Sequence, residues 1–321
     1  MSEFRFAIMG AGQIAHKFVR AIGLLPDCCV CAIASRSLER AQAFAQKMNL
    51  PVAYGSYEEM LLAERPDCVY IAASTDLHAE LSMLCLNHGV PVLCEKAMCR
   101  DSEEAKAVFS LAQEKGVFAM EALWTRFLPP IMKARQWLRE GCIGDAVMAE
   151  VGVGFKAPDD PGNRYFNPEK GGGAAYDLSV YGYHLIHWIL GREVIAMQPQ
   201  VISRYGVDAA EMILLTLEGG LPAVIKASLI SPVEERMVIY GSSGRIVIPN
   251  AHFASEAYLY DASGALQEHF VDKETVNGFT YEAAEVMRCI REGKRLSDVV
   301  PPSVTLRCAE MFDLINAQIV P

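Results

Sequence analysis

Two segments of the 321-residue chain carry residue types that are suited to acid–base chemistry. Glu95 and Lys96 follow the apolar run 90–94, which predicts a buried strand, and Tyr181 lies on a predicted helix. A lysine at a strand end and a tyrosine on a helix suit proton transfer at a carbon-bound oxygen beside a cofactor. Tyrosine has a pKa of about 10, so a neighbouring ammonium would be needed to favour its phenolate.

The individual roles of Glu95, Lys96 and Tyr181 stay open. Lys96 could also polarise the substrate oxygen directly, so the immediate proton donor is either Lys96 or Tyr181. Glu95 could orient the lysine or contact a nicotinamide ribose.

The helix that begins at Asp177 extends this polar character. At 100° per residue, Asp177, Tyr181, His184 and Trp188 share one narrow face, which we predict lines a substrate cleft. The alternative is that Asp177 only caps the helix and that Tyr181 and His184 are buried with their polar groups satisfied. The glycines at 171–173 predict a close approach of the backbone to the cofactor or to the helix beneath.

A glycine-rich turn near the N-terminus predicts a nucleotide site. The apolar run 4–9 is followed by Gly10, Gly12, Gln13 and Ile14, and then by an amphipathic helix. This is the dinucleotide-binding fingerprint in its required context, since a strand precedes it and a helix follows. The helix N-terminus would offer its N–H groups to the phosphates.

The end of the second predicted strand indicates which nucleotide binds. An NAD enzyme usually has an acidic residue there for the ribose hydroxyl, whereas this chain has Ser35 and Arg36, with Arg40 one turn further on. Guanidinium groups form charge-assisted bonds to phosphate, so the sequence predicts NADP. The alternative is that Ser37 caps a helix and both arginines are solvated.

A third group of candidate cofactor neighbours follows the strand at 68–73. Ser74, Thr75 and His78 come directly after it, and ligands bind outside the carboxyl ends of such strands. His78 could equally be a capping or surface histidine.

The order of predicted elements indicates an α/β protein with two domains. Strands alternate with helices as far as residue 122, a pattern typical of a doubly wound parallel sheet. From residue 146 the chain favours strands, with hairpin signals at 218–220 and 241–244. We predict a Rossmann domain over 1–122 and, over 123–321, a substrate-binding and dimerisation domain with a mostly antiparallel open sheet.

The open sheet must be covered on both faces. Helices 177–190 and 281–292 are expected to cover one face of the second sheet, and a partner subunit the other, which makes a homodimer.

Composition narrows the class of protein. The net charge of −10 argues against nucleic-acid binding, and no apolar run reaches the roughly 20 residues of a membrane span. The N-terminal residues lack the features of a signal peptide. Most of the ten cysteines lie in apolar runs, which predicts reduced core thiols in the cytoplasm. Cys28 and Cys31 are interpreted as buried strand cysteines, and no metal site is expected.

These residues resemble the Gfo/Idh/MocA oxidoreductases, a family that includes glucose–fructose oxidoreductase and inositol dehydrogenase. The similarity runs nearly end to end. It is carried by the glycine turn, by Ala34-Ser35-Arg36, by Glu95-Lys96 and by the helix with Asp177 and Tyr181. Within the family, the stretch 120–127 is most similar to the dihydrodiol dehydrogenase branch.

The resemblance implies further roles. Lys96 and Tyr181 would be catalytic, and Trp124, Arg126, Phe155 and Arg164 would lie around nicotinamide and substrate. We therefore expect hydride transfer between NADP(H) and a secondary hydroxyl or carbonyl of a sugar or cyclic trans-diol. Alternatives are a reductase of another carbonyl or unsaturated compound, or a non-catalytic NADP(H)-binding sensor on the same scaffold.

Two positions depart from the family pattern. Ala97 replaces the proline that usually follows the lysine, and a cis bond before a non-proline residue costs about 3 kcal/mol, so Lys96 is expected to be placed differently or less rigidly. His184 replaces an acidic or smaller residue and could hydrogen-bond a substrate hydroxyl, which would alter the choice of substrate.

Overall fold

The computed structural model describes residues 3–320; Met1 and Ser2, which belong to the N-terminal segment considered above, lie outside that range. The chain forms two compact units. The first unit contains the described residues through Ala122 together with Asn277–Leu306, and the second contains Leu123–Val276 and the described residues from Arg307 onward. The chain passes from the first unit to the second after Ala122, and residues 277–306 return to the first unit.

The strands, in chain order, are β1 Phe4–Met9, β2 Cys28–Ala34, β3 Ala53–Tyr54, β4 Cys68–Ile71, β5 Val92–Glu95, β6 Ala119–Ala122, β7 Ala146–Gly154, β8 Val194–Arg204, β9 Val207–Leu217, β10 Leu221–Ser228, β11 Arg236–Gly241, β12 Gly244–Pro249, β13 Glu256–Asp261 and β14 Leu266–Val271. The α-helices are α1 Gln13–Ile22, α2 Leu38–Met48, α3 Tyr57–Glu64, α4 His78–Asn87, α5 Ser102–Lys115, α6 Pro129–Arg139, α7 Val180–Leu190, α8 Phe279–Arg291 and α9 Pro302–Asn316. None of the helices in residues 3–320 is long and apolar enough to cross a membrane.

The first unit is a doubly wound parallel sheet, as predicted. Its six strands lie in the order β3-β2-β1-β4-β5-β6 and pair in parallel. This is the Rossmann order, whose ligand sites lie outside the carboxyl ends of the strands. Strands β4, β5 and β6 are buried along their whole length because helices cover both faces.

The second unit is built on an eight-stranded sheet in the order β14-β13-β12-β11-β7-β10-β9-β8. Only the pairing of β7 with β10 is parallel, so the prediction of a mostly antiparallel sheet is confirmed. Helices α6 and α7 pack on one face of it.

The prediction that helix 281–292 covers the second sheet is wrong. That segment forms α8, which packs against α1 in the first unit. Its buried positions, which include Phe279, Ala283 and Val286, contribute to the core of the Rossmann unit instead.

The other face of the second sheet is open in the single chain. Along β9 the inward residues Ile213 and Leu215 are fully buried, whereas the outward Met212 and Leu214 are 55% and 42% exposed. Ile202 on the neighbouring β8 is 59% exposed on the same face. This alternation follows from the two-residue period of a strand and leaves an apolar surface without cover.

Candidate active site

The turn between β1 and α1 depends on Gly10. Its φ of +106° lies in the left-handed region, and a Cβ there would stand 2.5 Å from the carbonyl oxygen of Ala72. The Gly10 N–H donates to the carbonyl of Ala34 at 2.9 Å. Glycine is therefore required at this point, where the chain passes between the carboxyl ends of β2 and β4.

The N-terminus of α1 suits a phosphate group. Gly12 is its N-cap residue, and no side chain caps this end. The first turn, which begins with Gln13 and Ile14, contains no acidic residue. A Cβ at Gly12 would meet Ala72 only at an ordinary 3.7 Å, so the protein itself does not require glycine there. Open backbone beside an uncapped helix end fits a dinucleotide pyrophosphate.

The end of β2 presents two cations. Ser35 is nearly buried, and the Ser37 hydroxyl accepts a hydrogen bond from the Arg40 N–H at 3.3 Å, which caps α2. Burial raises the pKa of Tyr57, and the guanidinium groups of Arg36 and Arg40 oppose that shift, so both cations lie near its hydroxyl. Within residues 3–320 neither arginine takes part in an ion pair. Helix capping and phosphate binding are thus compatible at this turn.

His78 joins the ends of two strands. Ser74 and Thr75 are half-buried directly after β4, whereas His78 is only 1% exposed, which excludes a surface histidine. Its Nδ1 lies 2.8 Å from the carbonyl of Ala97, and its Nε2 lies 3.1 Å from the carbonyl of Ala73. Both ring nitrogens are therefore used inside the first unit, where His78 supports the turn that follows Lys96.

Glu95 ends β5 and is buried beside the lysine. The Tyr70 hydroxyl donates to Glu95 Oε1, and the backbone N–H of Lys96 donates to Oε2 at 3.2 Å. Burial raises the pKa of Glu95 to about 7, although the Tyr70 hydrogen bond and the Lys96 ammonium oppose the shift. Of its two predicted roles, this environment favours orientation of Lys96.

The backbone after Lys96 is fixed by a buried carboxylate. The Lys96–Ala97 peptide bond is cis. Glu121 accepts a hydrogen bond from the N–H of Met98 at 3.0 Å and another from the Thr305 hydroxyl at 2.8 Å. The expected effect of Ala97 on the placement of Lys96 stays a prediction.

In the second unit, α7 places Tyr181 close to the sheet. A Cβ at Gly182 would stand 2.8 Å from Ile225 and 3.0 Å from Val151, both on strands beneath the helix. Glycine at this position therefore lets the helix approach the sheet. Tyr181 is 9% exposed, and His184 is fully buried with its ring edge-on to Tyr183 at 5.5 Å.

The helix that carries Tyr181 is irregular at the end where Asp177 lies. Residues 175–179 are π-helical and only Val180–Leu190 is α-helical. A π turn holds more residues than an α turn, so the 100° spacing applies only from Val180 onward, and the face shared by Asp177 with Tyr181 and His184 stays a prediction. Sequence periodicity could not show this irregularity because it assumes a regular helix.

A row of aromatic rings extends from Tyr181 within the second unit. Its ring centroid lies 5.3 Å from that of His252, which lies 4.0 Å from Phe253. Phe253 in turn lies 5.2 Å from Trp124 and is 54% exposed. Trp124, a predicted site residue, thus belongs to a row of rings that also includes Tyr181.

A second cluster joins three of the predicted substrate residues. The Arg164 guanidinium lies 3.5 Å from an Asp177 oxygen and 4.0 Å from the centre of the Tyr165 ring. Phe155 packs edge-on against Tyr165 at 5.1 Å. The cluster offers a cation, a carboxylate and apolar ring surface, which are suited to a polyhydroxylated or cyclic molecule.

Arg126 is used inside the second unit. It is fully buried, its Nη2 lies 3.0 Å from Nδ1 of His187, and its guanidinium stands 5.3 Å from the Trp188 ring. The cofactor contact predicted for Arg126 stays a prediction beside this internal network.

Four residues of the second unit were missed by the sequence analysis. His252 and Phe253 lie in a 3-10 turn between two strands, where no periodic pattern marks them. Asp208 and Glu211 are buried carboxyl groups on β9. The sequence could have indicated these two residues, since charged residues are unusual in a strand that is otherwise apolar on one face.

Metal-binding chemistry has no visible basis in the described part of the chain. Residues 3–320 contain no group of three or more histidine, cysteine or acidic side chains placed to hold a metal ion. Cys28 and Cys31 are free thiols, and burial raises the pKa of each to about 11, which keeps them protonated at neutral pH.

Comparison with protein families matches both units. Residues 4–123 match the Gfo/Idh/MocA oxidoreductase family with an NAD-binding Rossmann fold, and residues 131–247 match the Gfo/Idh/MocA C-terminal domain. Curated relatives extend over nearly the whole chain. Trans-1,2-dihydrobenzene-1,2-diol dehydrogenase of Mus musculus is 33% identical over 96% of this chain and 95% of its own, and that of Danio rerio is 30% identical over 98% and 96%.

Solved structures share the fold at lower sequence identity. A levoglucosan dehydrogenase in complex with NADH and levoglucosan superposes with a TM-score of 0.88 at 18% identity, over 97% of this chain and 95% of its own. A 3-ketoreductase from Actinomadura kijaniata in complex with NADP superposes with a TM-score of 0.86 at 23% identity, over 98% of each chain. The glycine turn, the Glu95–Lys96 strand end and the open sheet thus occur in a chain that belongs to the Gfo/Idh/MocA family of oxidoreductases.

Proposed function

We propose that this oxidoreductase transfers a hydride between NADP(H) and a secondary hydroxyl or carbonyl of a sugar or cyclic trans-diol. The observation that carries the proposal is the end of β5, where Lys96 follows a buried glutamate on the cofactor-binding edge of a Rossmann sheet. The names of the relatives support the substrate class, because they include diol, levoglucosan and aldose oxidoreductases.

Residues of the first unit would hold the cofactor. The α1 N-terminus with Gly12, Gln13 and Ile14 would take the pyrophosphate. Arg36 and Arg40 would take the 2′-phosphate, since both are exposed at the end of β2 and an acidic residue is absent there. Ser35, Ser74, Thr75 and Glu95 are the further cofactor neighbours of this proposal, with Trp124 and Arg126 beside the nicotinamide.

Lys96 and Tyr181 would carry out the proton transfer at the substrate oxygen. The nicotinamide supplies or accepts the hydride when it is bound. The substrate oxygen gains or loses a proton in the same reaction, and Tyr181 exchanges that proton while the Lys96 ammonium stabilises negative charge on the oxygen or on the phenolate. Glu95 keeps the lysine oriented, and Tyr70 holds Glu95.

The substrate would be held by residues of the second unit. Arg164 and Asp177 offer hydrogen bonds to hydroxyl groups, and Phe155 and Trp124 offer apolar ring faces. His184 would also contact the substrate, because it lies on the same helix as Tyr181.

We further propose a cytoplasmic homodimer. The exposed apolar face of the second sheet supports the dimer. Seven of the ten cysteines are buried as small apolar side chains, which suits a reducing compartment. A fluorescent fusion that localised to an oxidising compartment would contradict the proposed cytoplasmic location.

The test of the function is the absorbance of reduced nicotinamide after mixing with NADP⁺, then NAD⁺, across aldoses, inositols and cyclic trans-diols. We expect turnover with NADP⁺, and a fall of about 10²–10⁴-fold in kcat for Lys96→Ala and for Tyr181→Phe while NADPH still binds. Tyr183→Phe is the matched control on the same helix, because the Tyr183 hydroxyl has no hydrogen-bond partner among the described residues. Full activity in both catalytic variants would reject the residue assignment, and tight NADPH binding without turnover across the panel would reject the substrate class.

A further inference from the structure

Two carboxyl groups on β9 are buried and have no part in the proposed reaction. Asp208 is fully buried and Glu211 is 5% exposed. Carboxyl groups are rarely buried to this extent without a specific partner, because loss of hydration disfavours their charge.

A β-bulge brings both groups toward the same segment. Along the pairing of β8 with β9, Ile202 lies opposite Ala210 and Ser203 lies opposite Asp208, so Ala209 is an extra residue on β9. The extra residue reverses the alternation of side chains, so that Asp208 and Glu211, three positions apart, face the π-helical segment Ala175–Ser179.

Asp208 binds the start of that segment. Its Oδ2 accepts a hydrogen bond from the Ala175 N–H at 2.6 Å. The backbone N–H groups of Ala174 and of Asp208 itself also stabilise the carboxylate. Gly173, with φ of +130°, passes so close that a Cβ there would stand 2.2 Å from Asp208 Oδ1. The close approach predicted for the triple glycine is therefore made to this aspartate.

Glu211 faces the other end of the segment. The Ser179 hydroxyl lies near it, but neither that hydroxyl nor either carboxyl oxygen of Glu211 has a hydrogen-bond partner among the described residues. Burial raises the pKa of Glu211 well above its usual range, and the negative charge of Asp208 adds to that shift. Burial also raises the pKa of Asp208, to about 7, although its backbone donors oppose that shift.

We propose that Asp208 is a positioning residue, which anchors the first turn of the π-helical segment through the Ala175 N–H and thereby sets the placement of Asp177 and Tyr181. Glu211 lies beside Ser179 at the far end of the segment. Without the anchor the segment can relax to an ordinary α-helix, which changes the rotation of Asp177 about the helix axis relative to Tyr181. The consequence for turnover depends on the proposed function, whereas the consequence for the segment does not.

The direct test is amide hydrogen exchange followed by mass spectrometry, without substrate. In Asp208→Ala we expect exchange to accelerate roughly ten-fold or more in peptides that cover 173–181, with the rest of the second unit unchanged. Asp208→Asn keeps an oxygen acceptor for the Ala175 N–H and should restore most of the protection. Gly173→Ala should reproduce the Asp208→Ala pattern, because the new methyl group displaces the carboxylate.

Asp261→Ala is the matched control. Asp261 also accepts backbone N–H groups, from Ser263 and Ala265, but it does so in an exposed hairpin. Its loss should leave the exchange of 173–181 unchanged.

Kinetics then connect the segment to the reaction. We expect Asp208→Ala to lower kcat roughly ten- to hundred-fold with NADPH affinity unchanged, and Asp208→Asn to recover much of the loss. Two results for Asp208→Ala would overturn the proposal. One is wild-type hydrogen exchange in 173–181, and the other is faster exchange over the whole second unit. If Asp208→Ala does not fold, hydrogen exchange of the 173–181 peptides in Asp208→Asn and Gly173→Ala tests the proposal instead. A wild-type protein without turnover would reject the proposed function and leave the exchange result valid.

Discussion

At the scale of single residues, the environment of Glu95 sets its charge. The carboxyl group is buried, accepts from the Tyr70 hydroxyl and lies beside the Lys96 ammonium. Burial outweighs both favourable contacts and raises the pKa to about 7. The folded protein therefore holds a proton on Glu95 between about pH 4.5 and 7, whereas the unfolded chain has released it.

A pH-dependent stability follows for Glu95→Gln. The contribution of Glu95 to stability is complete below its unfolded pKa and is lost as pH rises through the folded pKa. We expect the unfolding free energy of the variant, relative to wild type, to increase by about 1–3 kcal/mol between pH 5 and 8. Denaturant unfolding across that range is the measurement. Glu103→Gln, at an exposed position of α5, should show no such trend, and a flat difference for Glu95→Gln would contradict the buried acid.

Arg36 allows a prediction about cofactor choice. Charge-assisted hydrogen bonds are worth about 1.5–3 kcal/mol, so Arg36→Ala should lower kcat/KM for NADP about 10–100-fold and leave that for NAD nearly unchanged. Steady-state kinetics with both nucleotides measure this. Arg20→Ala removes an exposed arginine at the other end of α1 and should change neither value. An equal loss with both nucleotides would show that Arg36 does not read the phosphate.

The sequence identified residues that lie in known motifs, but it did not identify the residues that hold those motifs in place. Gly10 could be placed because a strand, a glycine turn and a helix follow one another directly. The contacts of His78 with Ala73 and Ala97 could not, because they join two strand ends that only the folded sheet brings together.

At the scale of elements, α7 depends on its distance from the sheet. Gly182 leaves no room for a Cβ beside Ile225 and Val151. Any larger residue must push the helix outward or distort these side chains, and Tyr181 would move with the helix.

We therefore expect Gly182→Ala to destabilise the protein by about 1–3 kcal/mol and to lower kcat more than it changes cofactor affinity. Gly23→Ala is the control, since a Cβ there meets its neighbours at an ordinary 3.6 Å. Thermal unfolding and steady-state kinetics on the same preparations would check both effects. A Gly182→Ala enzyme with wild-type stability would show that α7 does not need this close approach.

Two strands of the second sheet lack a clear sequence pattern for a physical reason. Strands β8 and β14 are the two edges of the second sheet. β8 contains Pro199, which the interior of a sheet excludes but an edge tolerates, and β14 is largely exposed and polar, so neither shows the alternation of a half-buried strand. The interior strands carry the regular apolar face that marks a half-buried strand.

At the scale of the whole molecule, the open sheet face predicts self-association. Sedimentation or light scattering should give twice the 35.3 kDa chain mass for the wild type. The double variant Met212→Glu and Leu214→Glu should be monomeric because it places charges on the exposed apolar face. Leu62→Glu, at a 60% exposed position of the first unit, should leave the mass unchanged. A wild-type monomer would contradict the dimer.

The return of residues 277–306 to the first unit could not be predicted from the sequence. Helix α8 has an ordinary amphipathic pattern, which shows that one face is buried but not against which partner. Contacts between α8 and α1 join residues more than 250 positions apart, and no local signal reports them.

This discontinuity has a consequence for synthesis on the ribosome. The Rossmann unit is begun first, but α8 and the Thr305 hydroxyl that binds Glu121 emerge only after the whole sheet of the second unit. A nascent chain of 122 residues has all six parallel strands and still exposes the surface of α1 that α8 later covers. The main segment of the second unit, 123–276, lies between the two segments of the first, so the unit that the ribosome starts is completed only after that segment has been made.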